Sequence, residues 1–262
     1  MNIEFYAPLK PLTSMVPSGD GRMARTLFSA LEYSGHHVHL ASEFISREPN
    51  GVPAKQEAFR LEGATIARNV MNEYEREKKL PDLWFTYHVY YKAPDWIGPL
   101  VAKKLNIPYV IAEASHAPKR AGGPWDLSHR HVEKTIKEAD LVIGINSIDA
   151  GCVRPLLDSS YKYLQLLPIM KLPIFQRSKK RELRKKFSDD LSIDSEQIWF
   201  LTVAMMRKGA KLKSYEILSK ALRSVKISGW QLLIAGAGPA RANVKKLFVG
   251  LPVTYVGEED QS

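Results

Sequence analysis

The sequence predicts an α/β protein made of two Rossmann-like domains with parallel sheets, the second of them incomplete. Three observations carry that expectation. The apolar run Leu232-Leu233-Ile234-Ala235 leads into Gly236-Ala237-Gly238 and a helix opening at Pro239. A similar strand, glycine loop and helix open the chain at Ile3-Glu4-Phe5-Tyr6, Ser18-Gly19-Asp20-Gly21 and Met23. Elsewhere, segments rich in Val, Ile, Leu and aromatics alternate with longer amphipathic segments, the mark of parallel β–α units. Two glycine loops so far apart predict two domains facing each other across a cleft.

Strands are expected at Ile3–Tyr6, His37–Ala41, Leu83–Tyr87, Tyr109–Ala112, Leu141–Ile145 and Tyr163–Leu166, all short and dominated by strand-favouring side chains. Helices fall between them near Arg22–Ser34, Lys55–Lys79, Ala93–Leu105, Leu127–Glu138 and Ile148–Leu157. Gly35 stops the first helix, and Pro81 and Pro108 mark strand entries. Residues 1–166 therefore form the first domain. The unperiodic stretch from Leu167-Pro168 to Pro173-Ile174-Phe175 is restricted to extended forms by its prolines and reads as a connector over 167–177.

The second domain, 178–262, opens with a basic helix near Ser178. Strand Ile198–Ala204, helix Lys211–Val225, strand Gln231–Ala235, helix Pro239–Phe248 and strand Val253–Val256 follow. Three parallel strands with two helices cannot cover both faces of a sheet. The expectation is that the rest of this domain lies beyond residue 262 or comes from another chain.

At 262 residues, 45% hydrophobic and 25% charged, the chain has the composition of a globular protein with substantial cores. No window approaches the ~20 apolar residues of a membrane span, and the N-terminus lacks a signal-peptide pattern. The single cysteine, Cys152, excludes an internal disulfide and fits a reducing cytoplasm, and it reads as a packing residue. The net charge of +10 points to an anionic partner. Its densest run, Arg177 to Lys186, spreads around a helix, either as a solvated face or as a patch for an anionic membrane surface. With no zinc spacing, helix-turn-helix signal or aromatic-rich basic strand, nucleic acid is not an expected partner.

Several residues stand where chemistry is expected. Gly19 and Gly21 let backbone N–H groups approach a ligand at a helix N-terminus, and Asp20 is either part of that loop or the helix N-cap. His88 and His116 each follow a strand at its carboxyl end, the edge where open α/β sheets bind ligands. The spacing of a dinucleotide fingerprint is absent. Arg207, Lys208 and Lys211 crowd the start of a helix, where cations oppose the dipole unless an anion sits there. Gly236 and Gly238 follow the next strand on the same edge. No Asp-x-Asp ends a strand, so no essential metal is expected.

Taken together, these motifs resemble those of retaining GT-B glycosyltransferases of family 4. The resemblance rests on Ser18-Gly19-Asp20, Gly35-His36-His37-Val38, Pro81-Asp82-Leu83, Ala139-Asp140-Leu141-Val142-Ile143, Leu167-Pro168 with Phe175, and Ile234 to Arg241. It implies transfer of a sugar, with retention, from a nucleotide-diphosphate donor to a glycan, lipid or small-molecule acceptor. On that resemblance Gly19, Asp20, Gly21 and His88 belong to the acceptor side, and His116 contacts the transferred sugar as the catalytic residue. Arg207, Lys211, Gly236 and Gly238 bind the donor. The nucleotide sugar is a co-substrate, and no cofactor is implied. Two departures stand out. The family's Gly-Arg after the second domain's first strand reads Ala204-Met205, and its paired glutamates fall later than Val256. The alternative is a non-catalytic glycan- or nucleotide-binding protein of the same fold. The expected location is the cytoplasm, with peripheral attachment to the inner face of a membrane.

Overall fold

The computed structural model describes residues 1–14, 18–169 and 177–258. The chain divides into two compact units, Met1–Leu172 and Pro173–Ser262. Residues 170–176 of the expected connector lie outside the described residues.

The first unit contains β1 (Asn2–Tyr6), β2 (His37–Ser42), β3 (Leu83–Val89), β4 (Tyr109–Ala114), β5 (Leu141–Gly144) and β6 (Tyr163–Gln165). They form one parallel sheet in the order β2-β1-β3-β4-β5-β6. Helices α1 (Gly19–Tyr33), α2 (Pro53–Glu77), α3 (Gly98–Leu105), α4 (Asp126–Glu138) and α5 (Ala150–Val153) connect them. From β1 the chain steps out to β2, then crosses back to β3 on the other side of β1. At such a switch point successive connections leave on opposite faces, and a crevice opens beyond the strand ends.

Alternate strand residues feed opposite faces. Ile3, Phe5, Phe85, Tyr87 and Val110 share a core with Ala24 and Leu27 of α1. Tyr6, Trp84, Ile111 and Val142 share the other with Ala67 and Tyr74 of α2, Val101 of α3, and Val132 and Ile136 of α4. Both faces are covered, as a parallel sheet requires.

Two helix starts differ from expectation by three residues or more, and the helix expected over Ile148–Leu157 is shortened to the single turn of α5, because the chain tightens into a 3-10 turn at Arg154–Leu156 around Pro155. Helix α1 begins a turn early, at Gly19, because Ser18 caps it, its Oγ accepting from Gly21 N at 3.1 Å. Helix α3 begins late, because the wholly buried Asp95 organises the chain before it. Asp95 Oδ1 accepts from the N–H groups of Ile97 (2.9 Å) and Gly98 (2.7 Å). Its Oδ2 accepts from the Thr86 hydroxyl (2.6 Å) and the Tyr109 phenol (2.9 Å). Only glycine fits at position 98, since a Cβ there would stand 2.3 Å from both Asp95 Oδ2 and Trp84 Nε1. Cys152 is exposed, not packed, because its neighbour Val153 fills the core position of the short α5.

The second unit contains α6 (Lys180–Leu191), β7 (Ile198–Val203), α7 (Ala210–Arg223), β8 (Trp230–Ala235), α8 (Arg241–Leu247) and β9 (Val253–Gly257). Its parallel sheet has the order β7-β8-β9. Met206, Tyr215, Trp230, Leu232, Ile234, Val244 and Phe248 form the core. Strand β7 is an edge, and Leu201 and Val203 on it are largely exposed. In α6, Arg184 donates to Ser195 O at 2.7 Å and lies 4.0 Å over the Trp199 ring. Lys180, Arg181, Lys185 and Lys186 point to solvent. Pro239 precedes α8, in a turn where Ala240 N donates to Met206 O at 2.8 Å.

Candidate functional site

The switch point of the first unit lies between β1 and β3, and two expected site residues meet there. Asp20, in the first turn of α1, has Oδ1 3.7 Å from Nδ1 of His88, near the end of β3. That is an ion-pair distance, longer than a hydrogen bond. The His88 imidazole holds the Asp20 carboxyl below the usual carboxylate range, against burial, which pushes the other way. Asp20 is not the helix cap. Ser18 takes that position, which leaves the Asp20 carboxylate to face His88. A Cβ at Gly19 would meet nothing within 4 Å, whereas one at Gly21 would stand 3.3 Å from Ser18 Oγ. Gly19 is thus open to approach, and Gly21 keeps the cap tight.

His88 has a left-handed backbone, and so does Glu113 at the corresponding place on β4. The Tyr87 hydroxyl donates to Glu113 Oε2 at 3.2 Å. Burial, aided by the Glu113 charge, raises the Tyr87 phenol far above its ordinary range, so it remains a donor. The His88 ring also lies 5.2 Å from that of Tyr90. Tyr87 and Glu113 were not singled out from the sequence, and no local pattern marks them. They join the site through strand register.

His116 follows β4 and is buried, its ring 4.9 Å from His129 and its Nε2 3.7 Å from Glu133 Oε2. Burial, then the neighbouring His129, lowers its pKa, while Glu133 and the Cys152 backbone act in the opposite sense. Glu133 itself is held low, chiefly by Lys137, whose Nζ donates to Oε1 at 2.6 Å. His129 had no place among the expected site residues. The signal that would find it is its spacing of four from Glu133, which puts both on one face of α4.

In the second unit, Gly236 (φ 138°) and Gly238 (φ 147°) face the neighbouring loop. A Cβ would stand 2.1 Å from Ala204 O at the first and 2.3 Å from Met206 O at the second. Backbone bonds hold the two loops together, Ala204 N donating to Ala235 O (3.0 Å) and Met206 N to Ala237 O (2.8 Å). These glycines therefore allow two loops to run side by side beyond the strand ends. Gly209 precedes α7 and gives it no side-chain cap, and its first turn has no acidic residue. Arg207, Lys208 and Lys211 are exposed at this helix start and form no ion pair among the described residues. A cavity of about 480 Å³, lined by Pro99, Lys103, Asn106, Pro108, Glu138 and Asp140, lies at the opposite edge of the first sheet, away from His88 and His116.

No family model and no curated protein matches the chain in sequence. Solved structures do match in shape. Anabaena Alr3699/HepE in complex with UDP-glucose aligns with a TM-score of 0.56 at 13% identity, over 98% of this chain and 69% of that one. The catalytic domain of Arabidopsis thaliana starch synthase IV, bound to ADP and acarbose, aligns with a TM-score of 0.62 at 11% identity, over 99% and 74%. The UDP-GlcNAc 2-epimerase of Methanocaldococcus jannaschii aligns with a TM-score of 0.53 at 12% identity, over 99% and 74%. At such identities the likeness speaks for fold: the chain is an α/β protein of the GT-B fold, with a six-stranded and a three-stranded parallel sheet.

Proposed function

We propose that the chain acts on nucleotide sugars as a retaining glycosyltransferase of family 4, moving a sugar from a nucleotide-diphosphate donor to a glycan, lipid or small-molecule acceptor. One observation carries this reading. Arg207 and Lys208 just precede helix α7 and Lys211 lies in its first turn, which has no acidic residue and no side-chain cap. Cations there oppose the helix dipole, and an anion such as a diphosphate removes the conflict while accepting from the free N–H groups. The shared fold, seen elsewhere with UDP-glucose or ADP bound, supports the same ligand class.

In this reading Arg207 and Lys211 bind the diphosphate, beside the loop shaped by Gly236 and Gly238. Gly19, Asp20, Gly21 and His88 bind the acceptor, and His116 contacts the transferred sugar. Charge builds on the departing diphosphate, and preorganised cations and N–H groups stabilise it more than they do the ground state. The acceptor is a glycan or a lipid-linked molecule. The exposed basic face of α6 attaches the protein peripherally to the inner face of a membrane, each cation near an anionic surface adding about 1 kcal/mol. The cytoplasm is the corresponding location.

Calorimetric titration with UDP and ADP, followed by incubation with labelled nucleotide sugars, tests the reading. Binding that is lost in Arg207→Ala/Lys211→Ala is the expected result; failure to bind any nucleoside diphosphate sinks it. A second reading, a non-catalytic binding protein, is favoured by Ala204-Met205 at the position where the resemblance expects Gly-Arg. Binding without turnover, in a longer chain that includes the paired glutamates the resemblance expects, selects that one.

A further inference from the structure

His116, His129 and Glu133 form a cluster of which the proposed transfer chemistry uses His116 alone. His116 lies in the segment after β4, while His129 and Glu133 sit one turn apart on α4. Their potential ligand atoms all lie within 4.8 Å of one another. The two histidines are buried, and none of their four ring nitrogens has a hydrogen-bond partner. Buried polar atoms nearly always have partners, so adjacent orphaned imidazoles call for an explanation, and an ion is one of the few that serves all of them.

Two imidazoles and one carboxylate are a donor set suited to zinc and similar divalent transition metals. The carboxylate is already oriented for the task. Glu133 Oε1 is held by Lys137 at 2.6 Å, which leaves Oε2 facing His116 at 3.7 Å. Such outer partners fix ligand orientation in metal sites. Metal–ligand distances of about 2.0–2.1 Å put tetrahedral donors about 3.4 Å apart, so the cluster closes by a modest turn of the imidazole rings. Each imidazole ligates through one nitrogen and keeps the other, so His116 retains a free nitrogen.

We propose that the chain binds one divalent transition-metal ion, of the zinc class, through His116, His129 and Glu133, with the fourth position left to water or an exogenous ligand. The ion fastens the segment after β4, which carries Gly122 and Gly123, to helix α4. This claim does not depend on the nucleotide-sugar reading, and neither His129 nor Glu133 belongs to the transfer site proposed above.

The test uses the tag-free full chain, stripped with chelator and titrated with Zn²⁺ by calorimetry and with Co²⁺ by visible absorption. One equivalent is expected, with the intense bands of tetrahedral cobalt and a raised melting temperature. His129→Ala should weaken binding about 100-fold and Glu133→Gln about 10-fold, judged against the effects seen in known sites. Circular dichroism checks that each variant folds, and Glu133→Gln, at a partly exposed position, serves where His129→Ala does not. No binding overturns the proposal. So does binding that survives both variants but is lost in His37→Gln/His39→Gln, because those surface histidines would then be the ligands. Nucleotide binding by the same samples is a separate readout that neither outcome should change.

Discussion

His88 and Glu113 stand opposite each other on adjacent parallel strands, and both are held in the left-handed region, at φ 66° and 61°. They fall between the register pairs Tyr87↔Ala112 and Val89↔Ala114, so the two strands distort together at the sheet's carboxyl edge. Left-handed backbone at a residue with a side chain is strained, and such strain gathers where a site requires it. Replacing His88 with Gly should relieve it. Set against the lost contact with Asp20, this relief should leave stability within about 1 kcal/mol of the parent in urea unfolding. If His88 binds the acceptor as proposed, sugar transfer or acceptor binding should fall at least about tenfold with the imidazole gone. A larger loss of stability would mean that the ring, and not the backbone conformation, is what the fold needs there.

The Asp20–His88 pair sets a pH dependence. The Asp20 carboxyl is held low in the folded state, so its contribution to stability is present above its unfolded value of about 3.9. That contribution disappears as pH falls through the lower folded value. Asp20→Asn should therefore be less stable than the parent above about pH 4, and the two curves should converge in stronger acid. Thermal melts across that range check it. Asp20 is half exposed, so the difference should also shrink with added salt.

Asp95 should be among the least replaceable polar residues of the first unit. Asp95→Ala strands the buried Thr86 and Tyr109 hydroxyls and the N–H groups of Ile97 and Gly98. Each unsatisfied buried group carries a penalty of about 1–3 kcal/mol, so a loss of about 3 kcal/mol or more is expected. Urea unfolding measures it, and Asp95→Asn should recover part of the loss.

The glycines of the second unit should separate into two kinds. Gly236→Ala and Gly238→Ala combine positive φ with a clash against a backbone oxygen and should destabilise by more than about 2 kcal/mol. Gly209→Ala also forces a side chain into a backbone region kept almost wholly by glycine (φ 83°, ψ −141°), but it meets no clash, so about 1–3 kcal/mol is expected, less than at the two clashing positions. Urea unfolding of the three variants compares them directly. Equal effects at all three positions would show that the loop contact carries little.

Lys211→Glu is expected to move stability and binding in opposite directions. An acid in the first turn of α7 suits the helix dipole and should add about 0.5 kcal/mol to stability. The same change should weaken UDP or ADP binding at least about tenfold if a diphosphate sits there. A variant that is stabilised yet binds as before would place the nucleotide elsewhere.

Much of the fold was legible because its signals are local. The strands from β1 to β9 come from short runs such as Leu141-Val142-Ile143 and Leu232-Leu233-Ile234, whose burial is fixed by side-chain type. Helix ends were less legible. At α1 the choice between Ser18, Gly19 and Arg22 turned on which side chain reaches the free N–H groups, and at α3 it turned on Asp95 bonding to Thr86 and Tyr109 on distant strands. Among the candidate site residues, His88 and His116 were singled out because the sequence places both at strand ends, and the structure puts His88 next to last in β3. Glu113 was not, since nothing in its immediate neighbours sets it apart, and the spacing of four between His129 and Glu133 becomes telling only once α4 packs beside His116.

The sequence by itself determined the order of strands and helices, the division into two α/β units and the edge of the sheets at which polar residues collect. These follow from periodicity and from the backbone freedom of glycine. Only the tertiary structure decided which residues meet there. The crossing from β2 back to β3 brings His88 to Asp20, the β3–β4 register pairs His88 with Glu113, and the packing of α4 sets His129 and Glu133 beside His116. Such meetings join residues far apart along the chain, and they depend on strand register and helix packing, which no local pattern encodes.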